Sequence, residues 1–148
     1  MMDDDPQYLV DNNVLTKLTV QDRASAFFTA RCHIPTEVLY EARDYPDYST
    51  LAKREYRTTP SVLRHLVDVL KTVPSNDTKL LNLYANQGNA DPLIIACALD
   101  GKSRNDGQLF GPTWIVVSDD GAVQSNAVKL GVPLMTSVEF RALFDSAE

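Results

Sequence analysis

Four acidic positions stand where a chain could do chemistry with them. Asp11 ends the short apolar run Tyr8-Leu9-Val10, Glu41 lies in the stretch TEVLYEARDY, Asp91 precedes Pro92 and the apolar segment LIIACAL, and Asp119-Asp120 follow Trp114-Ile115-Val116-Val117. Carboxylates gathered at one place repel one another, so a cluster persists only by sharing protons or by binding a cation. Ligation by oxygen alone selects Mg2+ or Mn2+ over zinc or copper. An ion of that kind lowers the pKa of a water, polarises a phosphoryl oxygen and steadies the departing oxygen of an in-line displacement, which makes hydrolysis of a phosphate ester the implied reaction. Each acid also has an ordinary explanation: Asp11 can begin a turn or cap a helix, Asp91 is a good N-cap, and Glu41 can be a surface residue.

The elements around these acids decide whether they can meet. Tyr8 to Val10 is too short for a helix and suits a buried strand; Trp114 to Val117 is the clearest strand, and Val132 to Met135 a last short one. Thr72-Val73-Pro74 reads as a short edge strand. Between them lie helical stretches: one through Leu15 and Leu18, a second from about Asp22 with Phe27 and Phe28, a third over TEVLYEARDY, with Glu41 bordering the stripe of Val38, Ala42 and Tyr45. Thr59-Pro60 opens a helix carrying Val62, Leu66, Val69 and Leu70, and Ser75-Asn76-Asp77 opens another through Leu80, Leu81 and Tyr84. Asp91-Pro92 caps a helix apolar on nearly every side, as a central buried helix would be. Val123, Ala127 and Leu130 share one side of a helix that stops at Gly131, and Thr136-Ser137-Val138-Glu139 is a capping box for a last helix with Phe140, Leu143 and Phe144. Strands alternating with helices predict an α/β domain with a mostly parallel sheet. All strands of such a sheet end on one edge, so acids a hundred residues apart can converge there.

The 148 residues predict one domain, with residues 1–6 disordered and residues 101–112 a mobile loop. A net charge of -6 argues against a broad basic nucleic-acid surface but is compatible with an acidic metal site. No apolar run is long enough to cross a bilayer and the acidic start is unlike a signal peptide, so a soluble, cytoplasmic protein without membrane contact is expected. Cys32, Cys97, His33 and His65 lack the close pairing of a zinc site. From Pro46 to Thr59, tyrosines alternate with Lys53, Arg54 and Arg57. This stretch is either an RNA-contacting flap or, as we favour, a solvated connection.

In order along the chain, YLVDNNVL, IPTEVLYEA, ADPLIIACAL and WIVVSDDGAV followed by NAVKLGVPLMT resemble the PIN-domain ribonucleases, and among them the VapC-type toxins of toxin-antitoxin pairs. The resemblance covers nearly the whole chain and rests on motif order and spacing. It implies a compact PIN-like fold, a parallel sheet flanked by helices, and Mg2+- or Mn2+-dependent endonucleolytic cleavage of RNA. It further implies a homodimer and inhibition by a cognate antitoxin protein. It carries over Asp11, Glu41, Asp91 and Asp120 as metal-binding, catalytic carboxylates, with Asn13 as polar partner. Ser118-Asp119-Asp120 fits the last motif with Ser in place of Thr, which favours Asp120 as ligand and leaves Asp119 in support. Lys53, Arg54 and Arg57 are the candidate substrate contacts.

Two other assignments compete. SDDGAVQSNAVKLGVP also looks like the last motif of haloacid-dehalogenase-type phosphatases, but these carry Asp-x-Asp after the first strand and this chain has Asp11-Asn12-Asn13, whose second amide cannot act as general acid. A catalytically inactive PIN-like protein-binding module is the non-enzyme alternative, and four intact acids speak for activity. Neither a P-loop nor a Gly-x-Gly-x-x-Gly turn is present.

Overall fold

The computed structural model describes residues 5–71, 90–105 and 111–146. Among the described residues five short strands form one sheet: β1 (Gln7–Val10), β2 (Cys32–Pro35), β3 (Glu55–Tyr56), β4 (Trp114–Val117) and β5 (Leu134–Met135). Their order is β3-β2-β1-β4-β5 and every pairing is parallel, with Leu9 opposite His33 on one side and Val116 on the other. The chain thus works outward from β1 to β3, then crosses back to lay β4 and β5 on the other side of β1. Between β1 and β4 the winding reverses, and in open α/β sheets the crevice outside the strand ends at that point is where ligands bind.

Alternation along the strands sends side chains to both faces, and both faces are covered, which is why β1 and β4 read as unbroken apolar runs. On one face Tyr8, Val10, Cys32, Ile34 and Val117 pack with the helices α1 (Asn12–Leu15), α3 (Ala26–Arg31), α4 (Thr36–Glu41) and α5 (Tyr48–Ala52), and with Phe140 and Phe144 of a C-terminal helix, while the short α2 (Val20–Arg23) precedes α3. On the other, Leu9 and Val116 pack under α6 (Pro60–Lys71), α7 (Ala90–Ser103) and α8 (Gly121–Lys129). The C-terminal helix is α9 (Ser137–Ser146), and the expected capping box opens it: the Thr136 Oγ1 accepts from the Glu139 N–H while Glu139 Oε1 accepts from the Thr136 N–H. Gly131 ends the turn after α8 with φ +68°, a conformation that costs glycine nothing.

Several expectations are corrected. The helix expected from Asp22 is two, because Ser25 Oγ accepts from the Phe28 N–H and starts α3 afresh. Cys32 to Pro35 is a full strand beside β1, and the third helix ends at Glu41 instead of running to Tyr45. The stretch from Pro46 to Thr59 is no solvated connection, since it holds α5, with Leu51 fully buried, and edge strand β3. α7 continues through Ser103, so the expected loop begins later, and Asp100 is a buried helical residue. Asp5, placed in the disordered leader, pairs with Arg31. The expected edge strand at Thr72-Val73-Pro74 and helix from Ser75 lie outside the described residues, as do residues 106–110 of the loop.

Candidate carboxylate site at the strand switch point

Asp11 follows β1 and its backbone N–H donates to the Val117 carbonyl, continuing the pairing between β1 and β4 by one residue. The capping explanation of this acid holds, and its second oxygen reaches across the sheet. Its Oδ1 accepts from the Asn12 N–H at 2.8 Å, capping α1, while Oδ2 accepts from the Ser118 hydroxyl at 2.8 Å, across the switch point. Only 4% of Asp11 is exposed. Burial pushes its carboxyl above the usual carboxylate range, more than the Ser118 and Asn12 hydrogen bonds pull it down, and the charges of Asp120 and Asp119 add to the rise.

The turn after β4 is built around Ser118, which is itself buried. Its hydroxyl accepts from the Asp120 N–H at 3.1 Å, so one serine holds both Asp11 and the backbone of the opposing acid. Asp120 caps α8: its Oδ1 accepts from the N–H groups of Ala122 and Val123, and its Oδ2 has no hydrogen-bond partner among the described residues. Asp119 is engaged differently. Although burial opposes it, the Lys17 ammonium on one oxygen and the Ser137 N–H on the other hold its carboxyl down at about 2.

Glu41 is the last residue of α4. Partial burial raises its carboxyl, and the Asp11 charge raises it further, followed by Glu37; Glu41 and Asp11 therefore feel each other across the site. The Oδ1 of Asn13 is buried without a hydrogen-bond partner among the described residues, an acceptor with nothing to accept. Asp91 falls in the first turn of α7 by its backbone, and its side chain lies outside the described residues. The far end of that helix, at Gly101, lies against Trp114, the first residue of β4. Asp91 lies ten residues before Gly101 in the same helix, roughly 15 Å along it at 1.5 Å per residue.

Lys53, Arg54 and Arg57 stand apart from these acids, on the approach to edge strand β3 and just past it. Lys53 is exposed at the end of α5, Arg54 donates to the Cys32 carbonyl at 2.8 Å and so ties β2 to that segment, and Arg57 is exposed.

Residues not singled out from the sequence support the site. Arg23, buried, makes a two-pronged ion pair with Asp47, at 2.8 Å on each prong, and donates to the carbonyls of Leu15 and Leu18 at the end of α1. Its guanidinium lies 5.0 Å from the centre of the Tyr45 ring, and the Tyr45 hydroxyl donates to Asn12 Oδ1 at the start of α1. One cluster thus holds both ends of the helix that Asp11 caps. A two-pronged pair spanning 24 residues has no local signature in sequence. Lys17 could have been noticed as the one base in the turn after Asp11-Asn12-Asn13.

The donors fit a hard cation in kind: they are all oxygens, one of them a buried orphan amide oxygen and one a free carboxylate oxygen. Among the described residues, no three His, Cys, Asp or Glu side chains converge closely enough to form a metal shell by themselves. Compared with known proteins, the chain matches no protein family and no curated sequence is significantly similar to it, so what can be said of its function rests on this geometry and on motif order.

Proposed function

We propose that this chain is a Mg2+- or Mn2+-dependent endoribonuclease of the PIN-domain kind, hydrolysing RNA phosphodiester bonds at the switch-point carboxylates, and that it serves as the VapC-type toxin of a toxin-antitoxin pair. The observation that carries the proposal is the state of Asp11: a carboxylate buried at the ligand-binding point of the sheet, with like charges beside it that raise its proton affinity. A fold gains no stability from that arrangement, and binding a cation would relieve it.

Asp11, Asp91, Asp120 and Glu41 would hold the ion. A bound Mg2+ or Mn2+ supplies an activated water and offsets the charge that builds on the phosphate during in-line displacement. The chain's own groups do the positioning. Ser118 and the Asn12 N–H fix the orientation of Asp11, the first turn of α8 fixes Asp120, and Lys17 neutralises Asp119 so that it adds less negative charge where an RNA phosphate must approach. Asn13, an amide where a phosphatase of the haloacid-dehalogenase type needs a second acid, favours the nuclease. The toxin role brings with it a homodimer and a small antitoxin partner, which co-expression with the neighbouring reading frame would test.

The direct test is cleavage of a mixed pool of structured and unstructured RNA with EDTA, Mg2+ or Mn2+, using wild type, Asp11→Asn and Asp120→Asn. Metal-dependent cutting by the wild type, reduced at least about a hundredfold in both folded variants, is the expected result. An Asp11→Asn protein that cuts as fast as wild type would overturn the assignment.

A further inference from the structure

A second recess lies on the Leu9 face of the sheet, toward edge strand β3, and plays no part in the chemistry above. It has a volume of about 450 Å3 and is walled by His33, Tyr56 and Trp114, with Glu55, Arg57 and Arg104 around it. Trp114 begins β4 whereas Asp119 and Asp120 follow its end, so the indole of the recess is set off from those acids by the strand, roughly 13 Å at about 3.3 Å per residue.

Three rings meet here. The Trp114 ring centre lies 4.9 Å from that of His33 and 5.3 Å from that of Tyr56, the latter nearly edge-on at 86°. The indole rests on the backbone of α7, because a methyl group added at Gly101 would lie 2.5 Å from its ring atoms. Trp114 is nevertheless only partly buried, so the ring is seated firmly and still reaches the recess. His33 contributes a neutral ring: burial first, then Arg54 and Arg104, push it down to about 4, and it shares a 2.7 Å hydrogen bond with Gln7 Oε1. Charge comes from the guanidiniums. Arg57 is exposed and has no carboxylate partner among the described residues, while Arg104 leans over Tyr56 at 5.1 Å with one nitrogen 3.2 Å from Asp100. Glu55 lies opposite Ile34 in the register, so its side chain leaves β3 on the other face of the sheet, where it accepts from Thr36 Oγ1 at 2.8 Å.

Aromatic faces beside guanidiniums are the means by which proteins hold a base and its phosphate together. We propose that this recess binds a nucleotide, with the base against Trp114 and the phosphate at Arg57 and Arg104. The nucleotide is either a free monophosphate or one residue of an RNA strand. The site does not depend on the nuclease proposal, since it neither contains nor contacts the switch-point acids.

Trp114 is the only tryptophan in the chain and also borders a cavity beside Leu99 and Val132, so its fluorescence reports this recess when the response depends on Arg57. Purified protein in EDTA is titrated with CMP, UMP, inorganic phosphate and hexacytidylate RNA, with equilibrium dialysis as an independent readout. Saturable quenching by CMP and by UMP is expected, with affinities within about threefold of each other because a stacked base is held by its face. Arg57→Gln should weaken CMP binding several-fold. Hexacytidylate binding more than about tenfold tighter than CMP would identify an RNA strand as the source, and equal affinities a free nucleotide. No saturable response to CMP or the oligonucleotide, or a response unchanged in Arg57→Gln of native circular dichroism, would overturn the proposal. A response that inorganic phosphate reproduces in full would overturn it too. Loss of RNA cleavage in any variant bears on the nuclease proposal and not on this one.

Discussion

Two aspartates in this molecule are buried to nearly the same degree and behave in opposite ways. Asp100, 1% exposed, is surrounded by donors: the Tyr56 hydroxyl at 2.6 Å, the Ser61 hydroxyl at 2.5 Å and the Arg104 guanidinium. Burial alone would raise its carboxyl, but those hydrogen bonds and the charges of Arg104 and His65 bring it below its ordinary value. Asp11, 4% exposed, has two donors and faces other acids, and it is pushed the other way. Burial therefore does not mark a site. A buried acid left in the company of other acids does, because its charge is useful only when something else arrives.

The comparison can be broken most forcefully at Asp100. Asp100→Ala leaves the Tyr56 and Ser61 hydroxyls and Arg104 without their acceptor and should cost about 4 kcal/mol. That would show as a fall in Tm on the order of 10 °C. A change of less than one degree would mean that the cluster is no structural anchor. The buried Arg23–Asp47 pair should follow the same logic at about 3 kcal/mol for Arg23→Met, with the double variant Arg23→Met/Asp47→Leu recovering much of the loss in urea unfolding. If the double variant is as unstable as the single one, packing rather than charge holds those helices.

Asp11→Asn is expected to act with the opposite sign, raising stability by about 1 kcal/mol at pH 7 while removing activity. Because the folded-state carboxyls of Asp11 and Glu41 are raised, the stability they contribute is present at low pH, where they are protonated, and is lost as pH rises through their folded values. The advantage of Asp11→Asn should accordingly shrink as pH falls. Asp100, Asp47 and Asp119 are lowered, and their contribution is present above their unfolded values and lost on acidification, for Asp119 through about 2. Unfolding curves of both proteins between pH 7 and pH 3 check this, and a gain from Asp11→Asn that grows toward acid would contradict it. The smallest effect should come from Lys17→Gln. Half of that lysine side chain is exposed, so its pair with Asp119 is worth no more than about 0.5 kcal/mol and should fade in high salt. A larger, salt-insensitive loss would show Asp119 depending on Lys17 far more than a surface pair allows.

What the sequence disclosed follows the range of the forces involved. β1, β4, α8 and α9 were legible because strand runs, N-caps and a terminal glycine are written within a few residues of one another. β2 was missed because α3 runs into Cys32 without a turn residue, and β3 because two residues of edge strand carry no period. Asp11 and Asp120 were found at one edge because parallel strands guarantee it, whereas the serine joining them was noticed only as a motif position. The loop was expected from Gly101 because a glycine there reads as a breaker, and only the flat indole of Trp114 explains why a glycine belongs in that helix. The partners of Asp100, Tyr56 and Ser61, are 44 and 39 residues away, and nothing local announces them.

The position of β1 between β2 and β4 also sets a schedule for synthesis. β2 follows β1 within about thirty residues of chain, so one margin of β1 is filled early, but the other waits for Trp114 to Val117. Until then the nascent chain carries a central strand with one row of amide and carbonyl groups unmatched, the condition in which strands pair with the wrong neighbour. The same delay keeps Ser118 away from Asp11, 107 residues earlier, so a chain stalled before β4 holds its acids apart. The carboxylates at the switch point are in this way brought together from β1 and β4, one made early and the other late.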